Sequence, residues 1–214
     1  MTYLQIINAV LRRLREDTVA AYNTSDYSTL IGDFVNEVKR EVEDSWNWTQ
    51  LRSTVQITTA SGTYQYTLAG GGDRYRILQV INDTEDYDLQ KGSYNYMNRW
   101  LTQNGSQNGK PFWYDINGQS GGDPIVNLYP IPDGAYNINF NMIIPQDDLA
   151  ASDTELTVPD YPVLLGAYAR ALSERGEDGG LMYAEAQRQY DKALGDAIAL
   201  DAGNHPYEMD WIVE

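Results

Sequence analysis

The hydrophobic period of this chain changes twice. Up to about residue 50, apolar residues recur every third or fourth position; from about residue 52 they alternate; from residue 160 the helical spacing returns. A helical period buries one stripe of a cylinder, whereas a period of two buries one face of a sheet. The order helical, β-rich, helical therefore predicts an α+β fold. Its expected form is a helical bundle made from the N- and C-terminal helices, with an inserted antiparallel β-sandwich or barrel-like domain. The expected boundaries are 1–50 and 151–202 for the bundle, 51–150 for the insertion, and 203–214 for an extended C-terminal arm.

The first helix is expected over 2–16, with Thr2 and Gln5 at capping-box spacing and Leu4, Ile7, Leu11 and Leu14 at helical intervals. A second starts at Ser25 or Asp26 and carries Leu30, Phe34, Val38, Val42 and Trp46, beside Ile31 and Val35. RSTVQITTA and TYQYTL around Ser61-Gly62 read as a hairpin, RILQVIN as a further strand, and SYNYMNRWL as a short helix capped by Ser93. KPFWYDI, PIVNLYP and AYNINFNMII read as three more strands. Asp160 is expected to cap a helix that ends near Gly176, and a last helix runs from about Leu181 to Asp201. Neither terminal helix pair has enough apolar surface to stand alone, so residues 2–47 should pack on 160–201.

Charge and composition narrow the function. The chain has 15 Lys+Arg against 31 Asp+Glu, a net charge of −16, which repels a phosphate backbone. DNA is thus expected to pass without sticking. With no cysteine and a single histidine, His205, disulfides, thiolate metal sites and Cys nucleophiles are absent and no cofactor is expected. No apolar run approaches the length of a membrane span. The 17 Tyr and five Trp against three Phe suit half-wet surfaces such as subunit interfaces or sugar sites.

Catalytic motifs fail on context. Gly118-Gln-Ser-Gly-Gly122 matches a nucleophile elbow, but Pro124 and a strand follow where a helix is needed, and His205 lies in a tail without periodicity. The acidic run Asp83–Asp88 lacks the central glycine and distal glutamate of a calcium loop. Gly70-Gly-Gly72 has no Lys-Ser/Thr behind it. Trp46, Trp48, Trp100 and Trp113 could stack on sugars; packing is favoured, because Trp46 continues the stripe of the second helix. Tyr207, Met209, Trp211 and Ile212 follow a Gly-Asn-His-Pro break and alternate in part with Glu208 and Asp210. They either fold back on their own domain or form an arm docked on a partner.

Several local patterns occur in a telling order: Trp46-Asn47-Trp48, then LYPIPDGAY from Leu128 to Tyr136, then LTVPDYP from Leu156 to Pro162, then ALSERGED and YAEAQRQYDKAL in the last helices. Over roughly residues 1–200 this resembles the head-to-tail adaptor (connector) family of tailed bacteriophages, the group that includes tail tubular protein A. The resemblance implies a non-enzymatic ring protein of the virion neck, made in the host cytoplasm and usually present in twelve copies. Such a ring docks on the portal protein, extends the DNA channel for genome ejection, and offers a platform to a tail, nozzle or stopper protein. On that reading, Glu37, Glu41, Asp44, Glu185, Asp191 and Asp196 are the candidates to line or flank the channel. The alternative is a carbohydrate- or receptor-binding β module on a helical oligomerisation stem, which predicts solvent-facing aromatics on one β face.

Overall fold

A computed structural model describes residues 1–102, 107–177 and 181–204. Its helices are α1 (Tyr3–Arg13), α2 (Asp26–Ser45), α3 (Tyr94–Thr102), α4 (Asp160–Leu172) and α5 (Leu181–Ala202). The strands are β1 (Arg52–Thr58), β2 (Gln65–Thr67), β3 (Arg76–Asn82), β4 (Tyr87–Asp88), β5 (Gln90–Lys91), β6 (Asn108–Gly109), β7 (Trp113–Ser120), β8 (Asp123–Tyr129), β9 (Ile131–Pro132) and β10 (Asn137–Ile143). The fold is α+β. The chain divides into two compact units, one of residues 1–51 with the chain from Gln146 onward, the other Arg52–Pro145.

In the helical unit, the sequence signals at the helix starts are used as written. Thr2 Oγ1 accepts from the Gln5 N–H while the Gln5 amide oxygen accepts from the Thr2 N–H, and Ser25 and Ser28 repeat this exchange at the start of α2. The next free amides of α1, those of Tyr3 and Leu4, donate to the carbonyls of Thr154 and Ser152. α4 packs on α1, α2 and α5, so the N- and C-terminal helices share one core. Gly166 permits this: a Cβ there would sit 2.6 Å from Val38 Cγ1 and 3.1 Å from the Tyr190 ring, joining α2, α4 and α5 at one point.

Three local expectations for this unit are corrected. Trp46 does not continue α2; it turns out at φ −151°, ψ 161°, and the buried face of α2 is Ile31, Val35, Val38 and Val42 together with Lys39 and Glu43. Asp160 is the first helical residue of α4 rather than its cap, and its carboxylate accepts from the Met1 ammonium at 3.1 Å. α4 stops at Leu172, and a wide turn over Ser173–Glu177 follows in which Gly176 takes φ +79°.

The β unit is a two-layered sandwich with no closed barrel. One sheet has the order β1-β10-β3-β4 and the other β2-β8-β7-β5, with β6 and β9 forming a small pair. The first sheet is antiparallel throughout, whereas the parallel β5–β7 pairing makes the second mixed, and β6–β9 is also parallel. Strict alternation along β10 sends Ile138, Phe140 and Met142 inward, where they meet Val126, Leu128 and Tyr114 of the facing sheet. Its outward Asn137, Asn139 and Asn141 hydrogen-bond Thr58, Gln56 and Thr54 across the pair. This ladder also explains why the expected hairpin of β1 and β2 does not form. β1 pairs with β10 and β2 with β8, so the Ser61-Gly62 turn carries the chain from one sheet to the other.

Candidate functional site

Several surface carboxylates of the helical unit are held by arginines. Glu37 and Glu41, one turn apart on α2, both accept from the Arg170 guanidinium on α4, and all three side chains reach solvent. Arg40 binds Asp148 in the same manner, and Arg175 binds Glu16 and the Tyr27 hydroxyl. On α5, Glu185 accepts from Arg188 and Gln189, and Asp191 accepts from Gln187. Tyr190 is pushed above its ordinary pKa, chiefly by burial and next by the Glu41 charge. Of the six acidic candidates the structure thus joins Glu37 and Glu41 through one arginine, while among the described residues Glu185 and Asp191 bond to side chains of their own helix. Asp44 and Asp196 are exposed.

The helical unit also exposes large apolar side chains on α5, with Leu181 at 91% and Leu200 at 79% exposure. They lie at opposite ends of α5, so they are separate exposed side chains rather than one contiguous patch. The docking candidates Tyr207, Met209, Trp211 and Ile212 lie outside the described residues.

A second feature sits on the outer face of the sheet β2-β8-β7-β5. Tyr114 and Ile116 of β7 point into the sandwich core, so Trp113 and Asp115, which alternate with them, face outward. Trp113 pairs with Tyr129 of β8, and Asp115 with Asn127. α3 packs over this face, with Met97 fully buried and Trp100 stacked on Tyr129 at 5.0 Å between ring centroids. Trp100 is also 6.1 Å from Trp113 and 6.2 Å from Tyr96. Beside this cluster opens a cavity of about 470 Å³ lined by Tyr96, Arg99, Trp100, Gln107 and Tyr129. On the same outward face Asp115 is 2% exposed; the cross-strand Asn127 amide lies near it, but neither carboxylate oxygen makes a full hydrogen bond among the described residues. Burial pushes its pKa up, and the Asn127 amide draws it partly back.

Sequence reasoning named Trp100 and Trp113 but not Tyr96, Arg99, Gln107 or Tyr129. The i, i+4 spacing of Tyr96 and Trp100 was the available signal; their meeting with β8 was not in the local pattern. Trp48 is core, with no exposure and its Nε1–H on the Val42 carbonyl, and Trp46 donates to the buried Asp201.

The remaining motifs have structural employment. Gly118-Gln-Ser-Gly-Gly122 forms the β7–β8 hairpin, with Gly118, Gly121 and Gly122 at positive φ. The amides of Gly70 and Gly72 both donate to Asp123 Oδ1 at 3.1 Å, so the glycine loop holds its own carboxylate. In the acidic run, Glu85 pairs with Lys110 and Asp88 accepts from Gln79. Among the described residues no group of three acidic or histidine side chains is placed to hold a metal, and no helix is long and apolar enough to cross a membrane. His205 lies outside the described residues.

No curated protein matches the chain. Residues 1–209 match the protein family described as SU10 adaptor protein, a span that takes in both helical segments and the whole β unit. The order of elements by which the sequence resembles phage head-to-tail adaptors is thus covered from end to end, and the chain belongs to the SU10 adaptor protein family.

Proposed function

We propose that this bacteriophage adaptor forms a closed ring, of about twelve copies, at the neck of the virion. There it docks on the portal protein, continues the DNA channel, and presents a platform to the next tail component. The observation that carries the reading is the family match over residues 1–209. Two physical features support it. The surplus of carboxylates, 31 Asp+Glu against 15 Lys+Arg, disfavours retention of DNA passing close to the wall. The exposed Leu181, Met182 and Leu200 of α5 supply apolar area that a neighbour in a ring covers. The chain's role is structural, with no catalytic step.

The channel reading assigns Glu37, Glu41, Asp44, Glu185, Asp191 and Asp196 to the lumen or its flanks. The arm reading assigns Tyr207, Met209, Trp211 and Ile212 to docking on a partner. Ring contacts of this kind are heterologous, so assembly closes only when the rotation between copies is fixed, and the portal supplies that template. Mixing the purified chain with its cognate portal and imaging the product by electron microscopy tests the reading. A ring seated coaxially on the portal is the expected result; a chain inert towards portal overturns it. The aromatic cavity of the β unit favours a second reading, a carbohydrate- or receptor-binding module, because a stacked Trp100–Tyr129 pair with Arg99 and Gln107 alongside suits a sugar ring.

A further inference from the structure

The cavity beside α3 is half open and lined by Tyr96, Trp100 and Tyr129 with one cation, Arg99, and one amide, Gln107, and the surface it exposes is more polar than apolar. At about 470 Å³ it lies within the ordinary range of ligand pockets, about 300–1,000 Å³, and holds a large side chain with its neighbours. Arg99 is exposed, and among the described residues it has no ion-pair partner, in contrast to Arg40, Arg170, Arg175 and Arg188. In a chain of net charge −16, a cation left open in an aromatic cavity calls for an anionic, aromatic occupant.

The chain itself contains such a segment. Residues 205–214 read HPYEMDWIVE, in which Tyr207, Met209 and Trp211 alternate with Glu208 and Asp210. In extended form, alternate side chains fall on one side about 7 Å apart, so a row of large side chains enters while the carboxylates point the other way, towards the mouth where Arg99 is exposed. Fully extended, the ten residues 205–214 span about 33 Å.

We propose that the cavity of Tyr96, Arg99, Trp100, Gln107 and Tyr129 receives the 205–214 segment of a second copy of this chain. Trp211 stacks against Trp100 and Tyr96, and Glu208 or Asp210 meets the Arg99 guanidinium. The inference rests on the ring reading and deepens it by naming what links one copy to the next. In a ring the arm is held beside its acceptor, so a weak single contact becomes effective through high local concentration.

The test is fluorescence anisotropy of a labelled peptide of residues 203–214 titrated with the full chain. Binding is expected, weakened about tenfold or more by Arg99→Glu and by Tyr96→Ala, both at exposed positions whose variants retain the wild-type melt. A peptide carrying Glu208→Lys and Asp210→Lys should prefer the Arg99→Glu chain to the wild type. Absence of peptide binding, equal binding by Arg99→Glu, or failure of the charge exchange overturns the proposal, as does occupancy of the cavity by maltose or chitobiose with no affinity for the peptide. Portal docking is scored separately: seated rings with no peptide binding remove this inference alone, and a chain inert towards portal removes the ring reading.

Discussion

The Lys39 ammonium donates at 3.1 Å to the Glu43 carboxylate one turn along α2, and neither side chain has any solvent exposure. The pair is held by the chain that returns from the β unit. Lys39 Nζ also donates to the carbonyls of Gln146 and Asp147, and Glu43 Oε1 accepts from the Gln146 N–H. A buried ion pair repays its desolvation only with such extra hydrogen bonds, and here they fix the point where residue 146 enters the helical unit.

Lys39→Met should therefore be strongly destabilising, by about 3–5 kcal/mol, because Glu43 is left charged and buried. Lys39→Met with Glu43→Leu should recover part of that loss and no more, since the Gln146 and Asp147 backbone groups still lose their partners. Urea unfolding of the single and double variants measures both terms.

Gly166→Ala sets a better helix propensity, worth about 1 kcal/mol, against a clash 2.6 Å from Val38 Cγ1 in a packed core. Overpacking costs about 1–3 kcal/mol, so the clash should win. A lower melting temperature for Gly166→Ala, with an unchanged one for the open Gly195→Ala or a higher one, is the expected pattern.

Asp115 gives a pH prediction. Its folded pKa is raised by burial, so the protonated form is the better fit to the fold. The sign follows: the group favours folding below its unfolded pKa, and that contribution is lost as pH rises through the folded value. Asp115→Asn should be more stable than the parent at pH 7, with the gap closing as pH falls into the carboxylate range. Melting curves across that window decide it; a gap independent of pH would assign the effect to packing.

Replacing Glu185, Asp191 and Asp196 together by Lys should leave the melt almost unchanged, because exposed pairs contribute about 1 kcal/mol at most. In an assembled particle the same change should slow DNA ejection, within a screening reach of about 8–10 Å at physiological salt. Normal assembly with unchanged ejection would place these residues on the outer surface.

Truncation after Ala202 should retain the cooperative melt yet weaken the contact the arm makes with its partner, and with it stable seating of the ring on portal. Burial of one tryptophan such as Trp211 at a contact contributes about 2 kcal/mol or more, repeated around the ring. Loss of the cooperative melt on truncation would instead show that the arm packs on its own unit.

Local sequence was enough for the α+β class and the starts of α1 and α2, because the signals lie within one turn. The Thr2–Gln5 and Ser25–Ser28 exchanges are closed by residues three apart, and the alternation of Asn and apolar residues in β10 needs only the pleat. Tertiary structure decided everything that depends on a distant partner. The face of α2 is centred on Val35 and Val38 because Lys39 and Glu43 are buried by residues 146–147, more than a hundred positions away. β1 and β2 part company because the Asn side chains of β10 offer β1 a ladder, at separations of 79 to 87 residues. The cavity is of the same kind: Tyr96, Arg99 and Trp100 share a helix, but only the β7–β8 pairing brings Trp113 and Tyr129 to them. Short-range patterns report which face of an element is apolar, and only packing reports what that face meets.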